Sequence, residues 1–383
     1  MSPRKILITH SSSDLYGASK IILQVVELLI ANGWQVVFVV SEHGPLVEKL
    51  KPLSVDVRII NLGVFRKKYL TPLGLVNRFF ALSIAVVRLI VLILSQRVTL
   101  VYSNTSVVWA SGIAAKATRK KHIWHVHEIP FGNKRYIKLT GKMLRWFSSN
   151  VIAVSESVKD FWQASLKPHQ IVRIYNGVTT VPNIVGTAKG LLVKDSDIII
   201  ANVSRIIPYK GHLYFLEVAA ELLKLNPNLK FLIVGSSTPG YEAYVNTVYE
   251  RIEELDLGSH MFMLGQREDV KNILEQSTLL YHSAIEPDPL PTVIFEAQIV
   301  GTAVAANNLG GPTEMIVPNK TGLLVDYRNP KNAATSINSL LKDEEKLNQF
   351  VKEAKLRLER EFSEAEFDRR MLSLINDTLA GGE

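Results

Sequence analysis

The sequence predicts an α/β chain made of two doubly wound parallel-sheet domains, and three observations carry that prediction. Short β-rich runs alternate with helix-length segments along most of the chain, as in parallel sheets covered by helices on both faces. The alternation lapses over Thr179–Lys194, where Pro182, Gly186 and Gly190 accumulate, and then restarts. Finally, 383 residues exceed one hydrophobic core and suit two.

In the first half the strands are expected at Lys5–Thr9, Gln35–Val40, Val57–Ile60, Thr99–Ser103, His122–His127, Asn150–Val154 and Ile171–Ile174. A helix over Ala18–Ala31 is stopped by Asn32-Gly33. In the second half the strands fall at Asp197–Val203, Leu229–Val234, His260–Leu264, Thr278–His282, Ala303–Ala306 and Gly322–Val325. The closing Pro330–Leu379 stretch is charged and helical. Domains of residues 1–180 and 181–383 follow, with a last helix, about 362–380, able to pack back on the first.

Composition removes several function classes. Apolar residues make up 47% and charged residues 21%, with mean hydropathy +0.13, which is a well-packed folded chain. No cysteine occurs, so a disulfide framework, a thiol nucleophile and an iron–sulfur cluster are out of reach, and a cytoplasmic compartment fits. Ile6–Ile8 is too short an apolar run for a signal peptide. Phe79–Ser95 is the strongest membrane candidate, but Arg88 near its centre argues against a span. Leu73–Arg97 is expected instead as a core helix, with a membrane-facing side as the sharper alternative.

Charge divides the chain. Residues 1–180 hold 24 basic and 8 acidic residues, a balance of +16, and the remaining 20 basic and 28 acidic give −8. Arg66–Lys68, Arg119–Lys121 and the Lys134, Arg135, Lys138, Lys142, Arg145 set form three basic clusters in the first half. One such cluster is ordinarily a solvated face. Three in one domain point to an anionic membrane surface rather than nucleic acid, because no recognition motif or aromatic stacking platform accompanies them.

Nucleotide motifs fail on spacing. After the first strand a lone Gly17 stands where a dinucleotide fingerprint needs three glycines, although a glycine before a helix can let an anion meet backbone N–H groups. Gly235 and Gly240 have P-loop separation, but Tyr241 replaces the lysine. Asp195-Ser196-Asp197 reads as a solvated turn rather than a metal bridge. Two stretches carry more chemistry. Arg205 and Lys210 lie five residues apart on a loop after a buried strand and can grip a diphosphate from two sides. Asp288 and Glu296 lie eight apart around a helix start, with Pro291 suited to its first position.

These residues resemble glycosyltransferase family 4, retaining enzymes of the GT-B fold. The family's R-x4-K element is matched by Arg205 and Lys210, and its E-x7-E element by Asp288 and Glu296. Gly310-Gly311-Pro312-Thr313-Glu314, Asn319–Val325, Tyr175–Val178 and Leu232–Gly235 are similar to further family segments. The resemblance implies two Rossmann-like domains facing a central cleft. It implies a metal-independent hexosyltransferase using a nucleotide sugar, with UDP-glucose the best single donor, no cofactor and no metal ligands. It gives Arg205 and Lys210 the departing diphosphate, and Glu296 the donor ribose. Arg267 to Val270 would hold the base, Leu290, Thr292 and Val293 the donor at the helix start, Gly17 its phosphates and His127 its sugar. Asp288, one methylene shorter than the usual glutamate, joins Arg205, Lys210 and His127 as a catalytic candidate expected to contact the sugar hydroxyls or the backbone that meets them, and Pro291 replaces a glycine. The expected acceptor is a lipid-linked or other glycan in cell-envelope polysaccharide synthesis, met by a cytoplasmic enzyme peripheral to the inner face of the plasma membrane. The rivals are a nucleotide-sugar epimerase and a non-catalytic nucleotide-sugar-binding scaffold at a membrane. A His125/His127 metal pair finds no third ligand in the sequence.

Overall fold

The computed structural model describes residues 4–15, 17–65, 71–178, 197–238 and 240–381. The expected linker, the 180/181 boundary, the Arg66–Lys68 cluster, Asp195 and Ser196 lie outside them. The chain divides into two compact units, one of Met1–Gly177 with Glu364–Glu383 and one of Val178–Ser363.

The first unit runs β1 (Lys5–His10), α1 (Gly17–Ala31), β2 (Gln35–Val40), α2 (Pro45–Leu50), β3 (Asp56–Ile59), α3 (Pro72–Ser95), β4 (Leu100–Asn104), α4 (Trp109–Ala117), β5 (Lys121–Val126), α5 (Lys134–Phe147), β6 (Asn150–Ala153), α6 (Glu156–Gln163) and β7 (Ile171–Arg173). Its seven parallel strands lie in the order β3-β2-β1-β4-β5-β6-β7. The chain steps outward from β1 to β3 and then crosses to β4, so strand order reverses between β1 and β4. Right-handed crossovers therefore place helices on both faces. On one face α1 and α2 cover Ile6, Ile8, Phe38 and Val40, and on the other α3 and α4 cover Leu7, Val37, Val39 and Val101. Helix starts carry their own caps: Thr71, Asn133 and Ser155 side chains accept from the first-turn N–H groups of α3, α5 and α6. As the sequence suggests, α1 ends at Asn32-Gly33, with Gly33 at φ 77°.

The second unit runs β8 (Ile198–Val203), α7 (His212–Leu225), β9 (Leu229–Val234), α8 (Glu242–Glu254), β10 (Met261–Gly265), α9 (Val270–Glu275), β11 (Leu279–His282), α10 (Thr292–Val300), β12 (Ala303–Asn307), α11 (Pro312–Met315), β13 (Leu323–Val325), α12 (Pro330–Leu341) and α13 (Glu344–Glu361). Its six parallel strands are ordered β10-β9-β8-β11-β12-β13, with the reversal between β8 and β11. The last helix, α14 (Glu364–Ala380), belongs to the first unit: Phe367, Met371 and Ile375 are buried beside α1, Ile152 and Ile174. Thr378 Oγ1 donates to Asn150 Oδ1 at 3.0 Å, and Lys121 Nζ to the Gly381 carbonyl at 2.8 Å.

One element departs from expectation. Helix α3 buries only one side, through Ala85, Leu89 and Ile93, while Leu73 is 85% and Phe79 63% exposed. It is a crossover helix seated on the sheet rather than a core helix enclosed on all sides. By length and composition alone Leu73–Ser95 could also cross a membrane, but its inner side is already packed against β-strands.

Candidate active site

In open parallel sheets ligands gather beyond the carboxyl ends of the strands, where strand order reverses. The two elements singled out in the second half of the sequence meet at that point of the second unit. Arg205 and Lys210 lie on the loop after β8, and Asp288 on the loop after β11. Asn202, near the end of β8, donates from Nδ2 to the Tyr281 carbonyl at 3.1 Å and to Ser283 Oγ at 2.8 Å. Ser283 Oγ in turn donates toward the Lys210 carbonyl at 3.1 Å, and the Ile285 N–H to the Tyr209 carbonyl at 3.0 Å. The two loops are thus stitched together through backbone, and the Lys210 side chain starts from a fixed position.

Lys210 Nζ donates to Asp288 Oδ2, and His282 Nε2 lies 3.1 Å from the same oxygen. Burial pushes the Asp288 carboxyl upward, but Lys210 and His282 outweigh it and hold the group well below the ordinary carboxylate range. Asp288 is therefore an acceptor only, and burial lowers the pKa of His282, so its ring stands beside the carboxylate in the neutral form. Arg205 contrasts with Lys210: its side chain is exposed, and its guanidinium donates to Tyr209 Oη at 3.1 Å.

The remaining donor candidates of this unit fall around two helix starts. Arg267 makes a bidentate pair with Asp269, through Nε to Oδ1 at 2.7 Å and Nη2 to Oδ2 at 2.6 Å, beside Val270 at the head of α9. Leu290 and Val293 are buried, Thr292 opens α10, and Glu296 lies half-buried one turn in. Pro291 is the N-cap of α10 rather than its first helical residue. Its ψ of 107° is extended, and the first intrahelical bond runs from the Ile294 N–H to its carbonyl.

The first unit has its own constellation at its reversal point, where His10 ends β1 opposite Asn104 at the end of β4. His127 Nε2 donates to Asn104 Oδ1 at 2.7 Å, and Asn104 Nδ2 donates to His10 Nδ1 and to the Ala18 carbonyl, each at 3.0 Å. His10 Nε2 then donates to Ser19 Oγ at 3.0 Å, and Ser19 to Asp14 Oδ1 at 2.7 Å. The chain of donors fixes each tautomer and ties His127 to the first turn of α1, which Gly17 opens. His125 packs against His127, ring centroids 4.1 Å apart, but its Nδ1 faces Tyr102 Oη at 2.7 Å. Among the described residues, no group of three or more His, Asp or Glu side chains is arranged to hold a metal.

Burial keeps these histidines neutral. It lowers His10 and His122 to about 4 and His125 to about 3, and His127 well below its usual value of 6.5. The unfolded chain protonates them near 6.5, whereas the folded chain does not until far lower. The folded state thus binds fewer protons in that window, and stability is present above it and lost as pH falls toward 4. Glu128, raised by burial, opposes this over the carboxylate range. The thermal midpoint is expected to drop steadily from about pH 7 to about pH 4.5. A flat midpoint followed by circular dichroism over that range refutes the assignment.

His10, Asn104, His282, Asn202 and Ser283 carry positions in these networks that the sequence left unassigned. A strand-end rule could have flagged them, since each stands within a residue or two of the carboxyl end of a strand at a reversal point.

Two doubly wound α/β units, each with polar side chains gathered at its strand-order reversal, make up the GT-B architecture. The family model described as Glycosyltransferase Family 4 matches residues 16–181, and that described as Glycosyl transferases group 1 matches residues 187–357. The chain belongs to the family 4 type of GT-B glycosyltransferases, and it is a transferase enzyme. It is 25% identical over 366 residues, 90% of each chain, to the Escherichia coli UDP-Gal:alpha-D-GlcNAc-diphosphoundecaprenol alpha-1,3-galactosyltransferase. It is 25% identical over 333 residues, 86% of this chain and 88% of the relative, to an uncharacterized glycosyltransferase of Haemophilus influenzae. Among solved structures, Anabaena HepE in complex with UDP superposes with TM-score 0.80 over 97% of this chain and 100% of that one, at 21% identity. Sucrose-phosphate synthase from Thermosynechococcus elongatus gives 0.77 over 99% and 100%, at 19% identity.

Proposed function

We propose that this enzyme transfers a hexose from a UDP sugar, UDP-glucose first, to a lipid-linked glycan acceptor in cell-envelope polysaccharide synthesis, with retention and without a metal. The observation that carries the reading is the pair of cations on one loop, exposed Arg205 beside Lys210. Fixed cations that meet the charge growing on a leaving diphosphate perform the task of a divalent ion. Lys210 starts in place because Asp288 and His282 hold its side of the loop, so Asp288 is read as a positioning residue. One methylene shorter than the family's glutamate, it still reaches the lysine. Glu296 is assigned to the ribose, Arg267 to Val270 to the base, and the Leu290 to Val293 helix start to the donor phosphates, which the head of α10 attracts. Gly17 and His127 are assigned to the donor from the first unit on the family resemblance. The uridine preference is supported by a relative named for UDP-Gal and by HepE structures holding UDP and UDP-glucose. Action at a cytoplasmic membrane face is supported by the diphosphoundecaprenol acceptor in that relative's name and by the basic first half.

The test is a thermal-shift screen of UDP, GDP and ADP sugars, followed by turnover with EDTA and the configuration of the product. A specific UDP sugar is expected to raise the midpoint by mass action, and the product to keep its anomeric configuration with EDTA present. Loss of turnover in EDTA, or inversion, overturns the reading. Isomerised sugar without acceptor indicates an epimerase, and binding with neither hydrolysis nor transfer indicates a scaffold.

A further inference from the structure

Helix α3 is apolar on two opposite sides, and only one of them has protein against it. Ala85, Leu89 and Ile93 are fully buried on the sheet with Leu7, Val37, Val39 and Val101. On the opposite side Val76, Phe80, Ile84, Val87, Val91 and Leu94 recur at intervals of three and four residues and are 54–61% exposed. That is one continuous stripe on a helix surface, about 27 Å long at 1.5 Å per residue. Water tolerates scattered apolar side chains, but a stripe of this length marks a surface that something covers.

Charge identifies the cover. Residues 57–155 contain 16 basic side chains and one acid, Glu128, which accepts from the Ser106 and His127 backbone N–H groups. On the sheet face where α3 and α4 pack side by side, α5 lies against α4. Helix α5 brings Lys134, Arg135, Lys138, Lys142 and Arg145 with no acid, and exposes Leu139 and Trp146 at 46% and 61%. A second copy of the chain would oppose this cationic layer with an identical one. An anionic lipid surface complements it, taking the apolar stripe among acyl chains and the basic residues at headgroup level.

We propose that the outer side of α3, with the basic face of α5, is a docking surface that lays the first unit on an anionic phospholipid bilayer, α3 lying in the membrane plane rather than spanning it. The proposal deepens the reading of a lipid-linked acceptor and rests on it for its purpose, since a docked first unit would work where such an acceptor is held.

The full chain is sedimented with phosphatidylcholine vesicles and with vesicles that also contain phosphatidylglycerol. The wild type is expected to partition at least tenfold more strongly to the anionic vesicles, and added salt to weaken that binding. The triple substitution Phe80→Ser, Val87→Ser, Val91→Ser touches only the outer side and is expected to lower partitioning at least tenfold with an unchanged thermal midpoint. Lys138→Glu with Lys142→Glu is expected to remove the preference for anionic lipid. Wild-type partitioning in the triple variant, or equal binding to both vesicles, overturns the proposal. So does a wild-type dimer in solution that the triple variant dissolves, which would make the stripe a self-association face. Donor hydrolysis without vesicles separates the two readings. Lost docking with intact hydrolysis leaves the transferase standing, and docking without hydrolysis leaves the membrane surface standing alone.

Discussion

Alanine at Arg205 is expected to lower kcat by about two orders of magnitude or more, with the thermal midpoint unchanged. The side chain is exposed and donates to Tyr209, so its removal leaves no buried group without a partner. Lys210→Ala is expected to lower kcat by at least as much, but with a second consequence. Lys210 and Asp288 are both nearly buried, with side-chain exposures of 12% and 9%. Removing the lysine leaves the carboxylate with His282 alone, and breaking such a pair costs about 3–5 kcal/mol. Lys210→Met with Asp288→Asn, which restores volume and removes both charges, is expected to recover most of the stability and none of the rate. Steady-state kinetics with urea unfolding on the three variants separates positioning from charge. Near-normal turnover in either alanine variant rejects the diphosphate assignment.

The second large effect is conformational. Gly211 sits at φ 73°, and a Cβ built there would lie 2.0 Å from the Ser283 carbonyl oxygen. The left-handed backbone disfavours any side chain, and the contact leaves no room for one. Gly211→Ala must therefore part the loop after β8 from the loop after β11, taking Lys210 out of reach of Asp288. A loss on the order of 4 kcal/mol or more is expected. Gly258 is the control, because a Cβ there meets nothing within 4 Å and its φ is not in the strained range. Alanine at Gly258 is expected to stay within about 0.5 kcal/mol of wild type in urea unfolding. Equal stabilities of the two variants would show that the loop relaxes freely.

The strands were readable because a parallel sheet covered on both faces needs near-continuous apolar runs, so segments such as Leu229–Val234 announce themselves. Their ends shift by a residue or two, as Lys121–Val126 does against His122–His127. The sequence left α3 between a core helix and one with a membrane-facing side, because a largely apolar helix looks the same in sequence whether protein, lipid or nothing covers its second side. The partner of Lys210 was hidden for a different reason. Asp288 is 78 residues away, and only the adjacency of β8 and β11 brings it close. The Asn104 link between His10 and His127 likewise joins three separate strand ends, a relation that no spacing along the chain encodes.

Because α14 closes the core of the first unit, Phe367, Met371 and Ile375 are missing from that core until synthesis has passed the whole of the second unit. A half that starts first is completed last. Its partner, wholly contained between Val178 and Ser363, faces no such delay and can be finished earlier. Removing α14 would then strip a wall from the unit made first, and leave the later-made unit whole.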